Sequence, residues 1–306
     1  MTLLFQHKSV LLEQCIEALN IQPYGVYLDA TVGGGGHSAA ILKAHPTVRL
    51  LGIDRDLQAI QAAQIRLKEY SDRVQLFHGS FAKVLSTINE PLNGILFDLG
   101  VSSPQLDNAD RGFSFQKDGP LDMRMNPEEG ISAAELIEQS SEKEIADILY
   151  LYGEEHRSRR IARAIVQNRP FKTTLALAAC IRKASGYKNS RTDPATRSFQ
   201  ALRIFVNQEL EQLKSSLPLA LTLLCDQGRL AVISFHSLED RIVKTFFRTV
   251  AGKVSEKDAY GNPVVPPQAK MLFKKGIAGK DQDPSNPRAR SARLRVIEKL
   301  PTNTSQ

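Results

Sequence analysis

The sequence contains few cysteines and no long apolar segment, and both absences narrow the class of protein. Its three cysteines, Cys15, Cys180 and Cys225, are too far apart for CxxC or zinc-type spacing. We therefore expect a reducing compartment, the cytoplasm, with neither a structural disulfide nor a bound metal. No apolar run approaches the roughly 20 residues that cross a bilayer, and the first residues lack the pattern of a signal peptide. No internal repeat is present.

Positive charge is abundant and clustered. The 306 residues include 40 lysines and arginines against 33 acidic residues, which gives a net charge of +7. Two short segments hold four arginines each: Arg157, Arg159, Arg160 and Arg163 in one, and Arg288, Arg290, Arg293 and Arg295 in the other. Such clusters indicate contacts to phosphate and hence to nucleic acid. The alternative is a solvated helix face whose arginines pair with acids such as Glu154 and Glu155.

Five apolar runs predict buried strands, and a polar residue stands at the end of each. The runs are Val26–Leu28 before Asp29, Leu50–Ile53 before Asp54, Val74–Phe77 before His78, Ile95–Phe97 before Asp98, and Leu230–Phe235 before His236. Helical patterns between the first strands predict a parallel, doubly wound, Rossmann-like α/β sheet. Ligands of such sheets bind beyond the carboxyl ends of the strands, so the polar residues predict a site there.

The interval between the fourth and fifth strands is too long for one crossover. More than a hundred residues separate Pro104 from Gly228, whereas a crossover needs one helix and short loops. We predict a helical insert over residues 107–215, flanked by core segments 1–106 and 216–306. Capping-box sequences at 132–135 and 141–144 and a long amphipathic pattern over 195–213 indicate its helices.

The C-terminal part is predicted to begin as a helix over Arg241–Phe247. Residues 252–270 are rich in glycine, proline and charge and predict a loop. Met271–Phe273 and Leu294–Ile297 are interpreted as a final pair of strands.

The glycine-rich run from Asp29 to Ser38 joins the first strand to a helix, which is typical of a nucleotide or nucleoside site. A dinucleotide fingerprint requires a third glycine where this chain has Ser38. The spacing of Asp29, Thr31, Gly33 and Gly35 agrees better with the loop of S-adenosylmethionine (SAM) enzymes. Asp54, 21 residues after Gly33, is placed to accept ribose hydroxyls, although a helix N-cap is the alternative.

Two further residues are candidate ligand contacts. Phe81 follows the third strand and could stack on an adenine ring, with core packing as the more common alternative. Asp98 ends a strongly apolar strand, where a carboxylate is costly unless it is solvated or paired. We therefore predict that Asp98 contacts the ligand.

Several long motifs together identify a family. They are Asp29–His37, Asp98–Asp107, Arg111–Phe115, Gly119–Met125, Pro194–Ile204, Ser234–Lys244 and Asn286–Arg290. The chain resembles, along nearly its whole length, the RsmH (MraW) family of bacterial SAM-dependent methyltransferases of 16S ribosomal RNA.

The resemblance implies the fold, the reaction and the contacts. It implies a class I methyltransferase domain with a helical insert, a 16S rRNA or small-ribosomal-subunit partner, and methylation of the exocyclic N4 of a cytidine in the decoding region. The cofactor contacts that it implies are Gly35, Gly36, His37, Asp54, Phe81, Asp98 and Gln105.

The chemistry leaves the catalytic residues open. A cytosine amine is a poor nucleophile, and groups around Ser102 and Ser103 are candidates to accept its hydrogens. His236 is a candidate to accept the released proton, and the alternative is that it only makes a structural hydrogen bond. Methylation at cytosine C5 would require a cysteine near the base, and none lies between Asp98 and Asp107. A nicotinamide-dependent oxidoreductase and a non-catalytic RNA-binding protein are the alternatives from other classes.

Overall fold

The computed structural model describes residues 9–186, 193–254 and 265–301. They form two compact units. The first contains the described residues up to Gly100 and those from Leu210 onward, and the second runs from Val101 to Glu209. The predicted insert, over 107–215, begins and ends six residues later than the second unit (107 − 101 and 215 − 209).

The N-terminal part of the first unit alternates helices and strands. These are α1 (Leu12–Leu19), β1 (Val26–Asp29), α2 (Gly36–Ala44), β2 (Arg49–Asp54), α3 (Leu57–Arg66), β3 (Val74–His78), α4 (Phe81–Leu85) and β4 (Leu92–Asp98).

The regular elements in the described part of the second unit are helices, and it contains no strand longer than an isolated bridge. The helices are α5 (Ser103–Asp107), α6 (Ala133–Gln139), α7 (Glu142–Gly153), α8 (Ser158–Asn168), α9 (Thr174–Ser185) and α10 (Ala195–Val206). The predicted capping boxes begin α6 and α7: in each, a serine and a glutamate three residues later bond each other's backbone N–H groups.

The chain then completes the first unit. The elements are α11 (Glu209–Leu223), β5 (Leu224–Ser234), α12 (Ser237–Val250), β6 (Ala269–Met271), β7 (Ile277–Ala278), α13 (Gly279–Gln282) and β8 (Arg293–Lys299).

One mixed sheet organises the first unit. Its strand order is β3-β2-β1-β4-β5-β8-β6, with β7 also paired to β8. The strands β1 to β5 are parallel, and β8 is antiparallel to β5, β6 and β7. The predicted doubly wound α/β fold with a helical insertion is confirmed.

Alternate residues of the central strands pack on opposite faces of this sheet. Leu28, Ile95 and Val232 belong to a core shared with helices α4, α11 and α12. Their chain neighbours Tyr27, Leu96 and Ala231 belong to a second core with α1, α2 and α3. Because both faces are covered, the middle of each of these strands is a continuous apolar run.

One helix of the prediction is divided in the structure. The amphipathic pattern over 195–213 is not one helix, because α10 ends at Val206 and α11 begins at Glu209. The side chain of Asn207 accepts from the N–H of Met125 and donates to the carbonyl of Met123, and Gln208 has a φ of +51°. Phe205, an apolar residue of this pattern, is 37% exposed.

Smaller differences concern the C-terminal elements. The helix predicted from Arg241 begins four residues earlier, at Ser237. Of the predicted strand pair, β8 contains Leu294–Ile297, whereas its partner β6 ends at Met271, so Phe273 lies outside it. Ten residues of the predicted 252–270 loop, 255–264, lie outside the described residues. Within the described part of the chain, each helix is too short or too polar to cross a bilayer.

Candidate functional site

Three aspartates end neighbouring parallel strands at one edge of the sheet, which we call the carboxyl edge. Asp29, Asp54 and Asp98 are the last residues of β1, β2 and β4. In the strand register Asp29 lies opposite Gly52 of β2 and Leu96 of β4. The predicted strand-end carboxylates therefore lie on adjacent strands.

The glycine-rich run turns from β1 into α2 at this edge. Gly33 adopts a φ of +52°, which a residue with a side chain rarely does, and its N–H donates to Oδ2 of Asp54 at 2.8 Å. Gly35 is the N-cap of α2 and has no side chain to accept from the first-turn N–H groups. A Cβ on Gly36 would collide with Oγ of Ser9. The run therefore brings backbone close to neighbouring groups and leaves the start of α2 without a side-chain cap.

Asp54 holds the loops on either side of it. Besides the N–H of Gly33, its carboxylate accepts the N–H of Asp56 at 2.9 Å. The N-cap of α3 is Asp56, which accepts the N–H of Gln58, so the alternative assignment of Asp54 as that cap is wrong. Burial raises the pKa of Asp54 to about 6, against the lowering effect of these hydrogen bonds.

Asp98 is the least satisfied of the three carboxylates. Its backbone N–H donates to Oγ1 of Thr31 at 2.6 Å, and its Oδ2 lies 3.5 Å from Nδ1 of His37. Its Oδ1 is buried and has no hydrogen-bond partner among the described residues. Burial, followed by repulsion from Asp29 and Glu239, raises its pKa well above the ordinary value. The carboxylate would therefore be stabilised by a cation or a hydrogen-bond donor.

Asp29 is the most deeply buried acid of the edge, at 1% exposure. It accepts the hydroxyl of Ser38 at 2.7 Å and the N–H of Thr31 at 3.2 Å, and so fastens the glycine run to α2. Burial raises its pKa to about 6. Its hydrogen bonds hold the loop, and its burial leaves almost none of its surface exposed to a ligand.

Phe81 is partly buried and packs at the edge of the core. It is the first residue of α4, and its ring meets that of Phe97 edge-on with the centroids 5.4 Å apart. Part of the ring is exposed. The core-packing alternative is therefore present, and the exposed part of the ring is available for stacking.

Gln105 and the two serines belong to the second unit. Gln105 is buried, and its Oε1 accepts the N–H of Ser102 at 2.9 Å as part of the capping box of α5. The carbonyl of Ser102 accepts the N–H of Leu106 within the same turn. The hydroxyl of Ser103 is buried without a hydrogen-bond partner among the described residues. Of the two serines, Ser103 therefore has the uncommitted hydroxyl.

His236 is the N-cap of α12. Its Nδ1 accepts the N–H of Glu239 at 3.4 Å, while the Glu239 carboxylate accepts the N–H groups of Phe235 and His236. Nε2 of His236 lies 3.1 Å from Oε1 of Glu239 but without hydrogen-bond geometry. In this capping arrangement the neutral ring carries its proton on Nε2, because Nδ1 is the acceptor.

Sequence reasoning missed Thr31 and Glu239 as site residues. Thr31 lies within the glycine-rich motif, and its hydroxyl ties β1 to β4. Glu239 follows His236 by three residues, which is the spacing of a capping box. That spacing was the available signal, although histidine is not among the usual capping residues.

The two arginine clusters differ in environment. Arg159, Arg160 and Arg163 lie exposed on α8, and Arg163 pairs with Glu142. Arg295 instead is 5% exposed within β8, and its guanidinium binds both carboxylate oxygens of Asp240 at 2.7 and 2.9 Å. The structure therefore removes Arg295 from the candidates for phosphate contacts.

One protein family matches the sequence along nearly the whole chain. The model of the MraW methylase family matches residues 4–300. Ribosomal RNA small subunit methyltransferase H of Nitrosococcus oceani is 50% identical, with 96% of each chain covered. The protein of the same name from Heliobacterium modesticaldum is 48% identical over 97% of this chain and 100% of its own.

Solved structures at much lower identity also align. An rRNA methylase of Streptococcus thermophilus is 11% identical with a TM-score of 0.42, covering 94% of this chain and 93% of its own. A SAM-dependent O-methyltransferase of Thermotoga maritima is 7% identical with a TM-score of 0.44, covering 98% of this chain and 70% of its own.

Proposed function

Since the chain belongs to the MraW methylase family, we propose that it methylates the exocyclic N4 of a cytidine in the decoding region of 16S rRNA. The family and the relatives make the chain an rRNA small subunit methyltransferase whose cofactor is S-adenosylmethionine. The choice of base, atom and region is the proposal.

The charge of the carboxyl edge supports this cofactor over a dinucleotide. Asp29, Asp54 and Asp98 lie on adjacent strands, and burial raises the pKa of each. A pyrophosphate would add negative charge to this edge, whereas the sulfonium and ammonium groups of SAM add positive charge. The buried Oδ1 of Asp98, which has no hydrogen-bond partner in the described part of the chain, is an acceptor of the kind that such a ligand would satisfy. The nicotinamide alternative is disfavoured on the same ground.

We propose Gly35, Gly36, His37, Asp54, Phe81, Asp98 and Gln105 as the cofactor contacts. The uncapped start of α2 supports the two glycines and His37, because its first-turn N–H groups can donate to a ligand. The exposed part of the Phe81 ring suits an adenine face. Gln105 would act through its amide NH₂, since its Oε1 already accepts the N–H of Ser102.

When bound, SAM supplies an electrophilic methyl group on a sulfonium. The task of the chain is to orient a cytosine amine toward it and to accept the hydrogens of that amine, so that the nitrogen lone pair is freed for attack. The hydroxyl of Ser103, which bonds to none of the described residues, supports that residue as the acceptor, whereas the carbonyl of Ser102 already accepts a hydrogen bond within α5. The capping role of His236 leaves it less suited to take up the released proton.

The burial and raised pKa of the three cysteine thiols favour methylation of cytosine at N4 over methylation at C5. A C5-methyltransferase requires a thiolate nucleophile. Burial raises the pKa of Cys15, Cys180 and Cys225, and Asp98 and Asp29 raise that of Cys15 further. Cys15 is fully buried, and Cys225 lies at the start of β5, at the end of the sheet opposite the carboxyl edge. Thiolate chemistry is therefore disfavoured at each of them.

The test is identification of the methylated nucleoside. We expect label from methyl-labelled SAM to enter small-subunit rRNA, offered both as free RNA and as assembled subunits, and to elute as N4-methylcytidine after digestion. The cysteine variants Cys15→Ala, Cys180→Ser and Cys225→Ser are expected to retain the activity. Label in 5-methylcytidine, or its loss in a cysteine variant, would contradict the assignment. Binding of SAM and RNA without transfer of label would favour the non-catalytic alternative.

A further inference from the structure

His37 and Asp98 lie close enough for the protonation of one to depend on the other. Nε2 of His37 lies 3.1 Å from the carbonyl oxygen of Val10, and because a carbonyl only accepts, Nε2 carries a hydrogen. In a neutral ring Nδ1 is then a lone pair, and it faces the carboxylate Oδ2 of Asp98 at 3.5 Å. Two acceptors do not face each other favourably. The pair is therefore stable with one proton, either as Asp98 carboxylic acid or as His37 imidazolium.

Negative charges around the His37–Asp98 pair favour its protonated form. Among the described residues, the charged groups that act on Asp98 come from three packed elements: Asp29 of β1, Glu239 of α12 and His37 of α2. The thiol of Cys15, on α1, is affected in turn by the charges of Asp98 and Asp29, which raise its pKa. Apart from the proton, these neighbours bring only negative charge. Removing the proton adds a negative charge beside Asp29 and Glu239 that nothing in this group balances unless another positive charge arrives.

We propose that the His37–Asp98 pair distinguishes SAM from its demethylated product, S-adenosylhomocysteine, by exchanging its proton for the sulfonium charge. The inference rests on the cofactor assignment made above. The two ligands share the adenosine and amino-acid parts and differ by one methyl group and one positive charge. A sulfonium replaces the charge of the proton, which leaves to solvent, whereas the neutral thioether of the product lets the pair keep it.

The exchange has a defined consequence for affinity. By linkage, each proton released on binding strengthens binding up to tenfold per pH unit while the pair is still protonated in the free protein. The ratio of SAM affinity to product affinity therefore rises as the pH rises. The pair becomes a specificity determinant of the reaction, because it favours the substrate cofactor and lets the spent form leave.

The test is a proton count by calorimetry. SAM and S-adenosylhomocysteine are each titrated into the protein in two buffers of different ionisation enthalpy, at about pH 6.5, where the α-amino group of both ligands is protonated (ordinary pKa about 7.7–8.0). We expect SAM to release about one proton more than the product. In Asp98→Asn that difference is expected to disappear. Asp54→Asn is the matched control, because it alters a strand-end carboxylate predicted to face the ribose that both ligands carry, so the difference should persist.

Three outcomes separate the possibilities. Equal proton counts for the two ligands in the unaltered protein would overturn the inference, as would a difference that survives Asp98→Asn. If SAM gave no binding at all, the cofactor assignment itself would fail. Should Asp98→Asn not fold, the ratio of the two affinities in the unaltered protein, measured between about pH 6 and pH 8, decides the matter, because a ratio independent of pH excludes the exchange.

Discussion

At the scale of single residues, Asp29 is the most deeply buried acid of the carboxyl edge, although it is assigned no contact with the ligand. Its carboxylate is 1% exposed and receives the hydroxyl of Ser38 and the N–H of Thr31. These two bonds are insufficient to offset the cost of burying its charge, since the pKa is raised to about 6. Protonation of this residue is therefore favoured by folding.

The sign of the resulting pH dependence can be derived from that shift. Because the folded pKa lies above the unfolded one, the contribution of Asp29 is fully present below about pH 4 and is lost as the pH rises through about 6. Between these values the free energy of unfolding of the cofactor-free protein should fall by about 1.4 kcal/mol per pH unit for this group. We expect Asp29→Asn, which mimics the protonated form, to flatten the profile by that amount.

Urea unfolding at pH values from about 4.5 to 7.5 measures the profile. The exposed Asp72, which precedes β3, provides the control, and Asp72→Asn should leave the slope unchanged. A slope in Asp29→Asn equal to that of the unaltered protein would show that the buried carboxylate is ionised at no cost.

The residues of the site were predictable to different degrees. A carboxylate at the end of an apolar run is visible in the sequence, so Asp54 and Asp98 were predicted at the carboxyl edge. The approach of His37 to Asp98 was not, because it depends on how the first turn of α2 is oriented against β4. Sequence patterns specify which residues reach an edge, and packing specifies which of them face each other.

At the scale of elements, His236 and Glu239 determine how the chain passes from β5 into α12. The glutamate accepts two backbone N–H groups ahead of the helix, and the histidine accepts one within it. We expect His236→Ala to lower the free energy of unfolding by about 1 kcal/mol, which is typical of a lost N-cap, and His236→Asn to restore it.

Single-turnover methylation at saturating SAM and RNA distinguishes capping from proton transfer. If His236 acts only as the cap, His236→Asn should keep the rate within a few-fold of that of the unaltered protein. A rate that stays low in His236→Asn while stability is restored would instead assign the proton-acceptor role to this histidine, since asparagine cannot take up a proton.

Local sequence patterns are sufficient to predict some helix ends but not others. The capping boxes of α6 and α7 involve four consecutive residues each, and both were predicted correctly. The end of α10 was not, because Asn207 bonds the backbone of Met123 and Met125, more than 80 residues away in the chain. An amphipathic pattern continues through Asn207 without a signal, so only the tertiary contact reveals the break.

At the scale of the whole molecule, the positive charge falls into two kinds. Arg295 forms an internal ion pair with Asp240, whereas Arg159 and Arg160 are exposed on α8 of the second unit. Exposed arginines are available to phosphate. We expect Arg159→Gln/Arg160→Gln to weaken RNA binding and to reduce the slope of log affinity against log salt by up to about 2, with SAM affinity unchanged.

RNA binding measured at several salt concentrations checks this expectation. The double variant Lys43→Gln/Lys68→Gln removes the same charge from exposed positions of the first unit and should leave the slope nearly as it was. An unchanged slope in the arginine variant, or an equal loss in the lysine variant, would mean that α8 makes no specific phosphate contacts.

The discontinuity of the first unit has a consequence for synthesis on the ribosome. The strands β1 to β4 are complete once Asp98 has been made, but the partner that covers the free side of β4 begins only at Leu224. At about 5–20 residues per second, the intervening 125 residues (99–223) take about 6–25 s to translate. Throughout that time the nascent chain carries an unpaired, apolar strand edge of the kind that promotes aggregation. A pause in translation within the insert would lengthen this interval, and a chaperone that holds the emerging chain would protect it.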